Sequence, residues 1–395
     1  MKYIFILTLL LTSITFATDF DETLKLAKEG DAEAQFQIGL AYELGEGASK
    51  DSLKAINWYQ KSARQNHLEA QYNLAVLHHN LGTPKSLKKA FNWFLKASKN
   101  GHFLAQYDLS SMYLEGRGTQ QNTKEGIKWL IQSADGGYIK AQHMLGILYG
   151  SDMHVSRDDK ESRKWYLKAA QQGHAQSQYI LALSYDSSSS PEDNKKAAQW
   201  FLKSAEQGLV DAQNMLGTLY FLGKGGLPIN YTESFKWSLK AAEQGSASSQ
   251  FLVSGIYAHG LVIPKDNKKS VDWLTKAADQ GLVEAQFKLG NIHLEGLSGL
   301  SVNRKQALKW YLRAAQLGHI ESQITLGWMY DFGNGVSKDA IISYFWYSLA
   351  GMSGKQNVEV IEAIQDLENR LTEKQIAEGQ ALATKCFKSN FKDCD

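Results

Sequence analysis

The sequence predicts an all-α solenoid of nine helix–turn–helix repeats, and three observations predict it. Glutamine recurs as Gln35, Gln71, Gln106, Gln142, Gln178, Gln213, Gln250, Gln286 and Gln323, at intervals of 35 to 37 residues. Five residues before each stands Gly30, Asn66, Gly101, Gly137, Gly173, Gly208, Gly245, Gly281 or Gly318, and seven after each stands a ring: Tyr42, His78, Tyr113, Tyr149, Tyr185, Tyr220, Tyr257, His293 or Tyr330. Between 22 and 24 residues after each glutamine stands Trp58, Trp93, Trp129, Trp165, Trp200, Trp237, Trp273, Trp310 or Trp346, which accounts for nine of the ten tryptophans. Four rows in step at this period are the signature of stacked supersecondary units.

In chain order, the first element is a leader. Met1 and Lys2 precede an apolar run from Tyr3 to about Leu11, and Thr15-Phe16-Ala17 resembles a cleavage site, so residues 1–17 read as a secretory signal peptide. The run is short for a bilayer span, and an uncleaved anchor is the alternative. Residues 18–29 read as an N-terminal capping helix, because a repeat array needs a polar end.

The repeats occupy residues 30–350. The Gly position suits a left-handed residue that ends one helix, and asparagine, as at Asn66, is the next-best residue there. A helix follows in which Ala34, Ile38 and Tyr42 share one face. A glycine loop comes next in most copies, such as Gly45-Glu46-Gly47 and Gly333-Asn334-Gly335. The fourth and fifth copies instead have Ser151-Asp152-Met153-His154 and Ser187-Ser188-Ser189-Ser190-Pro191, and the second has Leu81-Gly82-Thr83-Pro84. A second helix then carries Ala55, Trp58, Tyr59 and Ala63, with Lys54 and Lys61 toward water. The Trp row is expected to be the large member of the core.

Residues 351–395 read as a C-terminal cap: a partial turn from Gly351 to Asn357, then helices over about 358–371 and 373–387. Thr372 with Gln375 forms a capping box for the last helix. The only cysteines, Cys386 and Cys394, are expected to form a disulfide in an exported chain, contributing about 2–3 kcal/mol; two free thiols are the alternative.

These residues carry a family resemblance. The segment 208–220, with Gly208, Ala212, Gln213, Leu216, Gly217 and Tyr220, resembles the first helix of Sel1-like repeats. Trp310-Tyr311-Leu312-Arg313-Ala314-Ala315 resembles the end of the second. The resemblance covers about residues 21–350. It implies a right-handed α/α superhelix related to tetratricopeptide arrays and an adaptor that holds other proteins together. Many bacterial members are exported and serve host interaction, virulence or signalling.

Chemistry is sparse. Net charge is +2 from 43 Lys and Arg against 41 Asp and Glu, which gives no overall footprint for nucleic acid. His67, His102, His174 and His319 follow the Gly position, and His78 and His293 lie in the ring row, so the repeat explains them. No zinc-spaced Cys/His cluster and no His-Glu-x-x-His occurs, so no metal or cofactor is expected. Gly223-Lys224-Gly225-Gly226 lacks the ending of a phosphate loop, and no Gly-x-Ser-x-Gly elbow is present. Cysteine-rich Sel1-like proteins that bind or hydrolyse β-lactams carry a Cys pair in each repeat. This chain has no Cys in its repeats, so a cell-wall or β-lactam enzyme is the runner-up to a non-enzymatic scaffold.

In related arrays the first helices line the concave groove. The residue after each row glutamine is Phe36, Tyr72, Tyr107, His143, Tyr179, Asn214, Phe251, Phe287 or Ile324. If the ring-bearing members of this row face the groove, they form a ladder of anchors for a peptide or protein; alternatively they pack between adjacent first helices. Trp328 lies outside the Trp row and is the best single candidate. The expectation is a periplasmic or secreted monomer that binds protein, with no stable membrane insertion of the mature chain.

Overall fold

The computed structural model describes residues 20–152, 154–186, 190–352, 357–392 and 394. The expected leader (1–17), residues 18 and 19 of the capping helix, and parts of the fourth and fifth loops and of the turn after Met352 lie outside the described residues. Among the described residues the chain is helical throughout, with no strand.

Helix α1 is Phe20–Glu29. The first helices of the nine repeats are α2 (Ala32–Leu44), α4 (Leu68–Asn80), α6 (Phe103–Glu115), α8 (Ile139–Tyr149), α10 (Ala175–Asp186), α12 (Val210–Leu222), α14 (Ala247–His259), α16 (Val283–Glu295) and α18 (Ile320–Phe332). The second helices are α3 (Ser52–Arg64), α5 (Pro84–Lys99), α7 (Thr123–Asp135), α9 (Asp159–Gln171), α11 (Pro191–Glu206), α13 (Tyr231–Glu243), α15 (Asn267–Asp279), α17 (Arg304–Ala315) and α19 (Ala340–Met352). Helices α20 (Val358–Arg370) and α21 (Glu373–Lys388) follow. The chain is an all-α solenoid. It divides into two compact units, Met1–Leu181 and Ala182–Asp395, which part within α10.

Each sequence row has a structural cause. The nine Gly-row residues all have positive φ, from 68° at Asn66 to 109° at Gly30, the left-handed turn that links one repeat to the next. Every row glutamine is buried, and its side-chain amide donates to the carbonyl eight residues earlier, at 2.9–3.2 Å. That carbonyl lies at the end of the preceding helix and has no intrahelical donor of its own. In four places the glutamine oxygen accepts in turn from a Gln amide at the end of its own repeat's second helix, as in Gln280 to Gln250 at 2.7 Å. The row is therefore a seam of paired amides between repeats.

The Trp row departs from expectation. Trp129, Trp165, Trp237, Trp310 and Trp346 are buried, but Trp58, Trp93, Trp200 and Trp273 are half-exposed beneath Lys61, Lys96, Lys203 and Lys276, with ammonium groups 4.0–5.5 Å from the ring centroids. The tryptophan is a wedge against the preceding repeat: Trp93 packs on the cluster of Ala55, Tyr59 and Ala63, and Trp165 on that of Leu130 and Ala134. The core of each repeat is filled by the next residue along: Tyr59, Phe94, Leu130, Tyr166, Phe201, Ser238, Leu274, Tyr311 and Tyr347, all buried. One residue is a rotation of about 100° on a helix, and the buried stripe of Ala55, Tyr59 and Ala63 is centred on that position.

The facing position on the first helix matches it in size. Tyr59, Tyr166, Tyr311 and Tyr347 meet Gly39, Gly146, Gly290 and Gly327. Phe94 and Phe201 stand opposite Ala75 and Ala182 in the same register, and Leu130 and Leu274 opposite Ser110 and Ser254. Size is thus complementary across the two helices in eight repeats, as close packing requires, and repeat six is the exception, with Ser238 facing Gly217.

At the C-terminal end, α21 packs Ala383 and Cys386 into the cluster of Ala315, Leu326, Phe345 and Trp346. Helix α20 lies over Ile324 and Tyr347 through Val360 and Leu367, and its Arg370 binds Asp331 at 2.9 Å. The capping box at Thr372 is formed, and Cys386 and Cys394 are joined as a disulfide. No helix among the described residues is long and apolar enough to cross a membrane.

Candidate protein-binding face

The row after each glutamine is half-buried, and Phe36, Tyr72, His143 and Phe287 are held by rings on two sides. Inside its own repeat Phe36 lies 5.7 Å from Tyr59, Tyr72 lies 5.9 Å from Phe94, His143 lies 5.6 Å from Tyr166, and Phe287 lies 5.9 Å from Tyr311. Toward the next repeat the same rings meet His67, His102, His174 and His319, with centroids 4.5–4.7 Å apart. Tyr107 meets Tyr138 edge-on at 5.3 Å, and Lys288 sits 5.5 Å over Phe251. The structure therefore brings the row into ring stacks that join adjacent repeats and leaves part of each residue accessible.

The histidines at the far side of these stacks have a role that sequence reasoning missed. Nδ1 of His67, His102, His174 and His319 accepts the backbone N–H three residues on, at 3.1–3.2 Å. They are N-caps of the first helices. The signal was present in the register, because Asp31 and Ser246 occupy the same position in their repeats and cap in the same way. Such a histidine must keep Nδ1 unprotonated. Its Nε2 then carries the proton, directed in His67 at Glu33 (2.9 Å).

His143 and His174 share one hydroxyl, each with Nδ1 2.9 Å from Ser177 Oγ. Burial first, then the neighbouring His174, pushes His143 down to about 4. Burial, and then Lys140, lowers His174 as well. Burial also lowers His319, against the pull of Glu321 and Glu284. Unfolded, His143 takes up its proton near the ordinary value of 6.5, while in the folded chain it resists until about 4. Its contribution is therefore complete above 6.5 and is lost as pH falls toward about 4, and His174 and His319 act in the same direction. Urea unfolding at pH 7, 5.5 and 4.5 should show a falling midpoint, and His143→Phe should flatten the fall.

The first helices of repeats two and three frame a recess lined by Tyr72, Val76, His79, Asp108, Met112 and Arg117. The Tyr72 hydroxyl donates to Asp108, and burial raises the Asp108 carboxyl above the usual range. Among the described residues no three His, Cys, Asp or Glu side chains converge as metal ligands.

At the other end of the row, Trp328 and Phe332 are 38% and 59% exposed on α18, with ring centroids 5.9 Å apart. They stand one turn apart on the face that carries Ile324, whose own side chain packs beneath α20.

The Sel1 repeat model matches nine consecutive segments: residues 32–67, 68–102, 104–138, 139–174, 175–209, 210–246, 247–282, 283–319 and 320–355. The chain belongs to the Sel1 repeat family. Sel1 repeats typically serve as protein-interaction scaffolds, and the solved structures to which this Sel1 repeat chain is similar include two that share its fold. One is a protective antigen of uropathogenic Escherichia coli displaying the SLR fold, at 26% identity and a TM-score of 0.71, over 95% of this chain and 96% of that one. The other is a Sel1 repeat protein from Oxalobacter formigenes, at 28% identity and a TM-score of 0.62, over 79% of this chain and 91% of that one. No curated protein sequence matches the chain.

Proposed function

We propose that this Sel1 repeat chain is an exported, non-enzymatic adaptor that works as a monomer and binds a protein or peptide along the face of its first helices. The observation that carries this reading is the pair Trp328 and Phe332, two adjoining rings left open to solvent where the equivalent positions of other repeats are smaller. Rigid aromatic side chains with accessible apolar area are the usual anchors of binding hot spots. The half-buried rings one residue after the row glutamines, Phe36, Tyr72, Tyr107, His143 and Tyr179 in the first unit and Phe251 and Phe287 in the second, offer further contact area on their own first helices. The Cys386–Cys394 disulfide supports export, since such bonds persist in oxidising compartments. Likeness to an antigen of a uropathogen supports an envelope or secreted location with envelope or host proteins as partners.

The ring stacks make the row a poor place for a test, because truncation there also unpicks the contact between repeats. Trp328 and Phe332 avoid this difficulty. A Trp328→Ala, Phe332→Ala double variant should unfold at the same urea concentration as the parent and capture its partner from envelope or host-cell extracts at least tenfold less well. Undiminished capture would rule the face out.

A further inference from the structure

The second helices of repeats one and two carry a cationic face in three matched registers. Helix α3 holds Lys54, Lys61 and Arg64 and no acid, and α5 holds five lysines and no acid. Counted from each repeat's tryptophan, Lys54 and Lys89 share one register, Lys61 and Lys96 a second, and Arg64 and Lys99 a third. Trp93 of α5 packs on the cluster that holds Ala55, Tyr59 and Ala63 of α3, so the two successive second helices share a core and carry the three matched pairs in the same register. Among the described residues the one ion pair made by these six is between Lys54 and Asp51, at 3.7 Å. From repeat three to repeat seven the same registers hold at least one carboxylate each: Glu125 and Asp135, Glu161, Glu206, Glu233 and Glu243, and Asp279. Repeat eight holds no carboxylate in these registers either, but its one cation there, Arg313, is met by Asp279 at 3.3 Å, so repeats one and two are the units whose matched cations stand largely without partners. Like charges held in parallel rows repel, so the patch works against folding unless something anionic meets it.

The same surface is also apolar. Leu53 is 72% exposed, Trp58 and Trp93 are half-exposed, and the stems of Lys61 and Lys96 lie over the indole rings with ammonium groups 4.0 and 5.5 Å from the centroids. A polyanion in water would meet the ammonium groups and leave the indoles and Leu53 wet. A bilayer surface meets both, with headgroup phosphates at the lysines and the interfacial zone at the rings.

We propose that the outer face of α3 and α5 is a docking surface for an anionic phospholipid bilayer, on which the chain rests peripherally. The experiment is flotation of the purified chain, residues 18–395, with vesicles of phosphatidylcholine alone and of phosphatidylcholine with about one third phosphatidylglycerol. Binding should require the anionic lipid and weaken as salt is raised, because the Debye length shrinks below about 10 Å above 0.1 M. Each cation near an anionic surface contributes about a factor of five. Lys89→Gln, Lys96→Gln, Lys99→Gln should therefore lower the partition coefficient by about a hundredfold, with unchanged circular dichroism. Lys236→Gln, Lys240→Gln, Lys276→Gln, the same loss of charge on α13 and α15, should leave it within about twofold, since those lysines lie outside the patch. Equal binding to neutral vesicles, equal loss in both triple variants, or retention by a DNA duplex with no flotation would overturn the assignment.

Discussion

Truncating Tyr311 to alanine is expected to cost about 3–5 kcal/mol of folding free energy, and more than Trp200→Ala despite the larger tryptophan side chain. Tyr311 has no exposed surface, and its hydroxyl donates to Asn291 Oδ1 at 2.6 Å. Its removal empties the centre of repeat eight and leaves the Asn291 oxygen without that partner. Trp200 is half-buried, with the Lys203 ammonium 4.2 Å above its ring, so part of its surface is already wet before truncation. Urea unfolding of the two variants measures the difference directly. Equal losses would mean that the tryptophan, not the residue after it, fills the repeat.

Gly290→Ala should destabilise by about 1–3 kcal/mol through overpacking, a large effect for one added methyl. A Cβ on Gly290 would lie 2.6 Å from Cε1 of Tyr311, 2.8 Å from Cδ1 and 3.0 Å from Cζ. The ring is also tethered through Asn291 and cannot slide away freely. Phenylalanine has no tether, and in repeats two and five Phe94 and Phe201 stand opposite alanine. Adding Tyr311→Phe to Gly290→Ala should therefore recover part of the loss, with a coupling of at least about 0.5 kcal/mol in a double-mutant cycle. Strictly additive effects would show that the pairing of size across the two helices is coincidental.

The solenoid was legible because its punctuation is backbone chemistry. A left-handed turn admits glycine or asparagine, so the nine turns print themselves in the sequence. The capping box at Thr372 is likewise local. What stayed hidden depends on direction or on a partner across a turn. Trp58 and Tyr59 are adjacent and both apolar, and nothing in their sizes tells which points inward; the difference is one 100° step about the helix axis. The glutamine row was visible as a row, but its reason is a carbonyl on another helix. The histidine caps were masked by residue type, since histidine is not among the preferred caps. The ring row had two readings on the sequence, groove or packing. The structure gives those rings packing contacts on two sides while leaving an edge accessible, and it makes the Trp328 and Phe332 pair the most open aromatic surface of the first-helix face.

The glutamine seam also gives the array a direction. Every second helix up to α17 has its last carbonyls met by an amide from the repeat that follows, never from the one before. Repeats lost from the front would leave each of these bonds intact in what remains. Repeats lost from the back would leave the carbonyl at the new end with the turn N–H three residues on and without its glutamine amide. A lineage of such chains can thus gain or shed units at its leading end without repair, while its trailing end, where Gln323 is the last of the row, must be rebuilt each time with helices of another design.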